Sequence, residues 1–206
     1  MITQLGVLFL VWLVYFAVHS ATASLTAKQF VNTRWPGAAR YYRLAYNAFS
    51  ALTLLPPLYL MWIWRTEPVI AWSGWAFWIA QLAAAIAIVL FYLSTRYYDM
   101  GAFLGTRAAQ SSPEDAATPE TFCLSPFHRF VRHPWYFFGL VVLWTRNMDA
   151  MQLLSTVAAT AYLVMGSKLE EQKLIQEFGE VYARYRERVP GLVPLPGKYL
   201  KKEDII

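Results

Sequence analysis

The chain has one cysteine in 206 residues, Cys123, which excludes an internal disulfide and any metal cluster built on cysteine. Charge is sparse as well. Asp, Glu, Lys and Arg make up 15% of the residues, against 57% hydrophobic and 17% aromatic, a balance too apolar for an ordinary soluble domain. No internal repeat is found, and Gly101 and Gly105 form a GxxxG only outside the apolar spans, where the pattern means little.

Long apolar runs are what the chain has. Residues 5–18, 44–64, 69–93 and 150–167 are each nearly or fully long enough to cross a hydrocarbon core of ~30 Å. Residues 134–145 are shorter and read as half of a tight hairpin. The expected fold is all-α: an integral membrane helical bundle of about five transmembrane helices in a single domain, because a lipid-exposed backbone must satisfy its hydrogen bonds internally. Residues 5–18 followed by Ala21-Thr22-Ala23 mimic a signal peptide, but no Lys or Arg precedes the run, so it reads as a retained first span. Trp62, Trp64, Trp72 and Trp75 suit an interfacial belt.

Basic residues set the expected orientation. The first connection carries Lys28, Arg34, Arg40 and Arg43 and no acid, the third carries Arg96, Arg107, Arg129 and Arg132, and the C-terminal segment is lysine- and arginine-rich. The second and fourth connections offer only Arg65 and Arg146. The positive-inside rule then puts the N-terminus outside and the C-terminus in the cytoplasm, with a bacterial inner membrane the expected location. The net charge of +5 fits a basic rim beside anionic lipid head groups better than a nucleic-acid partner.

The connection over residues 94–128 is long enough to be functional or disordered. Its ends, Arg96-Tyr97-Tyr98-Asp99 and Phe103-Leu104-Gly105-Thr106-Arg107, read as ordered, and the Ser111-Ser112-Pro113-Glu114-Asp115 segment as a flexible flap. Residues 168–188 read as a cytoplasmic amphipathic helix with Glu170, Leu174, Phe178, Tyr182 and Tyr185 on one side, ended by Pro190, Pro194 and Pro196.

The chemistry concentrates at two places that a hairpin would bring together: Arg132-His133-Pro134-Trp135-Tyr136, and Glu170-Glu171 with Tyr182. A carboxylate pair facing a cationic, ring-bearing cluster suits a mixed-charge small molecule, since carboxylates hold an ammonium or ribose hydroxyls, Arg holds a carboxylate and rings stack on a base or a cation. Blander readings stand beside this one. Arg132 and His133 equally suit an anchor to lipid phosphate. The two Glu residues suit pairing with Lys168 and Lys173. His19 suits a packed, hydrogen-bonded histidine, Asn47 and Gln81 interhelical partners, and Asp99 an ion pair with Arg96 or Arg107.

Arg-His-Pro-x-Tyr-x-x-Gly, then Glu-Glu-x-x-Leu-x-x-x-Phe-Gly-x-x-Tyr-x-x-Tyr and a closing Val-Pro, resembles the C-terminal signature of the isoprenylcysteine carboxyl methyltransferase superfamily, which includes phospholipid methyltransferases. Tyr98-Asp99 with Phe103-Leu104-Gly105-Thr106-Arg107 is similar to a segment of its methanethiol S-methyltransferase branch, and His19-Ser20 resembles the NnrU-like branch. The match covers about residues 95–196.

The resemblance implies an S-adenosylmethionine-dependent methyltransferase. Arg132, His133, Tyr136, Glu170, Glu171 and Tyr182 would line the cofactor pocket. His19, Asp99 and Arg107 would be the catalytic residues, with His19 nearest the acceptor. Residues 1–93 would shape the acceptor side, 94–128 a cytoplasmic loop and 129–206 the cofactor site. The acceptor would be a small thiol or a lipophilic molecule. Gly166-Ser167-Lys168-Leu169 replaces the arginines with which the prenylcysteine enzymes precede the Glu pair, which favours a thiol over a carboxylate. An activated methyl group needs alignment and exclusion of water, and no metal. No obligatory protein partner is expected. The alternatives are an NADPH-dependent membrane reductase on a related scaffold and an NnrU-like accessory protein of a redox complex.

Overall fold

The computed structural model describes residues 1–110 and 125–201, so the expected Ser/Pro flap lies outside the described residues. Among the described residues the fold is all-α, with no strand and only the isolated bridges Ile70–Met148 and Leu195–Lys198. The helices are α1 (Ile2–Ala23), α2 (Leu25–Arg34), α3 (Tyr42–Ile63), α4 (Gly74–Ser94), α5 (Met100–Leu104), α6 (Thr106–Gln110), α7 (Pro134–Trp144) and α8 (Ala150–Arg188).

Four helical stretches are long and apolar enough to cross a membrane: Ile2–Ala23, Pro36–Ile63, Gly74–Tyr97 and Ala150–Arg188. The fifth expected span is α7, whose 11 residues rise only ~16 Å, about half of a hydrocarbon core. The expected cytoplasmic helix is the continuation of the last span. Together they form one 39-residue helix, broken only at Gly179, where φ is 56° and ψ −132°.

The chain divides into two compact units. The first contains residues 1–67, 98–110 and 149–155. In it α1 packs on α3, and the Trp12 indole donates to Ser155 Oγ (2.8 Å) at the start of α8. That start is set by Asp149, whose Oδ1 accepts from the backbone N–H of Met151 (2.8 Å) and Gln152 (2.9 Å). Gln152 Oε1 accepts in return from Asp149 N (3.0 Å), a reciprocal capping box.

The second unit contains residues 68–97, 125–148 and 156–201. Ala80, Ala84 and Ala87 are buried on α4, which packs on α7; small side chains at this spacing let two backbones approach. The Trp135 indole donates to Ser94 Oγ (2.7 Å), and the Trp144 indole spans the α7–α8 hairpin to Thr160 Oγ1 (3.1 Å). Toward and beyond the end of α8, Tyr182, Tyr185, Val189 and Leu200 form a buried core, with Leu174, Ile175 and Phe178 against it. This is the apolar face expected of residues 168–188.

Candidate functional site

The site is assembled by the backbone just before α7. Pro134 occupies the first helical position, where its missing N–H costs nothing. The two preceding N–H groups are directed at the far end of the chain: Arg132 N donates to Pro190 O (2.9 Å) and His133 N to Gly191 O (3.1 Å). Arg129 and Leu200 exchange two further bonds, Leu200 N to Arg129 O (3.0 Å) and Arg129 Nε to Leu200 O (2.9 Å). Tyr185 OH donates to His128 O (2.8 Å). The segment after α8 is thereby stitched along residues 128–133.

On this frame the expected cofactor residues converge. Arg132 donates through Nε (2.8 Å) and Nη2 (2.8 Å) to Glu171 Oε1. Its Nη1 donates to the carbonyls of Arg186 (2.8 Å), in the last turn of α8 where carbonyls lack helical partners, and of Val189, just beyond it. The guanidinium expected to grip a ligand carboxylate is therefore directed at Glu171 and at the end of α8. His133 lies between the two acids, with Nε2 3.0 Å from Glu171 Oε1 and Nδ1 3.4 Å from Glu170 Oε2. Tyr136 OH donates to the same Glu170 oxygen (3.2 Å), and the His133 and Tyr136 rings stack at 5.2 Å and 9°.

Exposure separates the two acids. Glu171 is 8% exposed and ion-paired, whereas 49% of the Glu170 side chain is exposed. Arg132 offsets Glu171, so Glu170 is the outward-facing negative charge. Tyr182 is buried against Tyr185 and within electrostatic reach of Glu171 and Arg132, so it supports the cluster from the core.

His128 and Ser125 are site neighbours that the motif reading missed. Ser125 N (3.0 Å) and Oγ (2.8 Å) both meet His128 Nδ1 in a capping box over Pro126–Arg129, and Ser-Pro-x-His was the available local signal. Burial, with nearby His133 adding to it, pushes the His128 imidazole down to about 4, so it is neutral at physiological pH.

The three expected catalytic residues lie in the first unit. His19 engages α3 through both ring nitrogens, Nδ1 with Ser50 Oγ (3.1 Å) and Nε2 with Tyr46 OH (2.9 Å). Asp99 caps α5 by accepting from Ala102 N (3.0 Å) and is ion-paired with Arg107, which settles the choice between Arg96 and Arg107. Asn47, expected to bridge spanning helices, instead donates to the carbonyls of Phe103 (3.2 Å) and Leu104 (3.1 Å), while Arg43 donates to Ala102 O (3.1 Å). The first turns of α3 therefore anchor both His19 and the Asp99–Arg107 turn.

The second unit also holds an apolar groove of about 360 Å³ between α4 and α7, lined by Ala87, Ile88 and Phe91 and by an α7 stripe from Trp135 to Leu143.

No family model matches the chain, and no solved structure matches it. Curated relatives do. Methanethiol S-methyltransferase 2 of Bradyrhizobium diazoefficiens is 32% identical over 204 residues, covering 93% of this chain and 75% of that protein. The Mycobacterium tuberculosis methanethiol S-methyltransferase is 30% identical over 209 residues, 96% of this chain and 82% of that protein. The Crocosphaera subtropica protein of the same name is 31% identical over 163 residues, 76% of this chain and 62% of that protein.

Proposed function

Since the chain belongs to the methanethiol S-methyltransferases, a branch of the isoprenylcysteine carboxyl methyltransferase superfamily, we propose that it is a membrane enzyme that methylates the sulfur of a small thiol, with S-adenosylmethionine as donor. The observation that carries this reading is the asymmetry of the acid pair: Glu171 is neutralised by Arg132, and Glu170 faces outward beside the stacked His133 and Tyr136 rings.

The donor set fits the cofactor. S-adenosylmethionine carries a sulfonium, an ammonium and a carboxylate, hence one net positive charge, and the outward Glu170 complements it. When bound, it supplies an electrophilic methyl group. Glu170 holds the ammonium or the ribose hydroxyls, and the His133–Tyr136 ring pair offers a face to the base or to the cation. Arg132, Glu171 and Tyr182 position these groups. His19, held by Tyr46 and Ser50 in the other unit, serves turnover rather than cofactor binding, and the Asp99–Arg107 pair keeps its turn folded.

Calorimetric binding of S-adenosylmethionine and S-adenosylhomocysteine to the detergent-purified protein tests the reading. Glu170→Gln is expected to weaken binding of S-adenosylmethionine about 10- to 100-fold, the value of a hydrogen bond to a charged group. His19→Gln is expected to keep the affinity and lose turnover. Failure of the intact protein to bind either molecule, with binding of NADPH, would overturn the proposal in favour of a reductase.

A further inference from the structure

The acid pair and its partners do not account for the groove between α4 and α7. It is walled by apolar side chains, and its one indole N–H, that of Trp135, is directed at Ser94 Oγ (2.7 Å). The Phe91 ring at 5.3 Å braces the same indole, so that wall is fixed. Trp135 sits between Pro134 and Tyr136 in the first turn of α7, so groove and acid cluster are built from consecutive residues. From there the α7 stripe continues to Leu143, a rise of ~12 Å.

The groove is kept open by a missing side chain. Gly139 lines its middle, inside a helix, where glycine is less favourable than alanine. Packing does not demand it, because a Cβ built at Gly139 meets no atom within 4 Å. Ala87 faces the same space from α4. Methanethiol has only two heavy atoms and occupies on the order of two water volumes of ~30 Å³, a small part of about 360 Å³.

We propose that this groove holds the chain of the acceptor, so that the protein methylates straight-chain alkyl thiols of several carbons in preference to methanethiol; the inference rests on the methyltransferase reading above. In the reaction the thiolate lone pair forms the new S–CH₃ bond as the sulfonium S–CH₃ bond breaks. That bonding pair stays on the sulfur of S-adenosylhomocysteine. The thiol proton passes to water, and the products are an alkyl methyl sulfide, S-adenosylhomocysteine and a proton.

The test is the kcat/KM series from methanethiol to hexanethiol, referred to aqueous thiol concentration and measured on the full-length protein. A rise of about two- to fourfold per methylene is expected in a half-open apolar site. Gly139→Leu is expected to lower the hexanethiol-to-methanethiol ratio about tenfold or more, with Gly139→Ala intermediate and no less heat-stable than the parent. Independently of turnover, hexyl methyl sulfide is expected to bind the intact protein, with micelle heats subtracted, and to bind Gly139→Leu about tenfold more weakly. Methylation of methanethiol with a flat chain-length series, or a ratio unmoved by Gly139→Leu, would overturn the inference, leave the methyltransferase reading standing and assign the groove to a lipid chain. Absence of both cofactor binding and thiol methylation would overturn the inference together with the reading beneath it.

Discussion

One oxygen of Glu171 meets Arg132 Nε, Arg132 Nη2 and His133 Nε2, all within 3.0 Å. A carboxylate used in this way is a fastening. Its removal leaves a guanidinium with only 13% side-chain exposure lacking its counter-charge, which costs about 3–5 kcal/mol in comparable buried pairs. Glu171→Ala is therefore expected to lower the thermal unfolding midpoint in detergent sharply, whereas Glu170→Gln, at a half-exposed position, is expected to change stability by less than about 0.5 kcal/mol. Equal destabilisation by the two variants would contradict the division of labour between the acids. Adjacent in sequence and identical in chemistry, they are distinguished only by what lies around them. The motif identified both as site residues but could not rank them, since the Arg132 contacts with Arg186 and Val189 join positions 54 and 57 residues apart.

The α5 turn shows how one element is held by another. Its carbonyls at Ala102, Phe103 and Leu104 accept from Arg43 and Asn47 of α3. Gly105 follows at φ 83°, where a Cβ would lie 2.6 Å from Leu44 N. Gly105→Ala is expected to cost about 1–3 kcal/mol by overpacking. It should show as protease sensitivity over residues 98–110 and loss of thiol methylation, with S-adenosylhomocysteine affinity retained because those contacts belong to the other unit. Lost cofactor affinity would count against this assignment. Much at this scale was legible: apolar runs located the long helices, the ordered ends of the third connection form α5 and α6, and the face of Leu174, Phe178, Tyr182 and Tyr185 is the observed core. The break at Gly179 was not legible, because an isolated glycine in a helical pattern is usually tolerated. Nor was the docking of Asn47, since an amide within an apolar run gives no sign of whether its partner is a side chain or a carbonyl.

For the whole molecule, the surface limits the surroundings in which it is stable. Leu10, Val14, Leu52, Leu55, Ile79 and Leu82 are each more than half exposed on the long helices, a degree of apolar surface suited to lipid. From the basic connections we propose a topology with the segment joining α3 to α4 outside and the C-terminal segment inside. In a Cys123→Ser background, a membrane-impermeant maleimide is expected to label Glu67→Cys from the outer side and Lys198→Cys only in inverted vesicles. The reverse pattern would invert the proposed topology. The stitching of residues 128–133 to the segment after α8 also has a consequence for biosynthesis. Arg132 emerges from the ribosome 57 residues before Val189, an interval of about 3–11 s at ordinary elongation rates. Until then its Nη1 and the two N–H groups beside it have no carbonyls to meet. The long helices can insert while translation proceeds, but the acid cluster closes only when the last stretch of chain arrives, so ligand-binding competence is a late event in the life of each nascent chain.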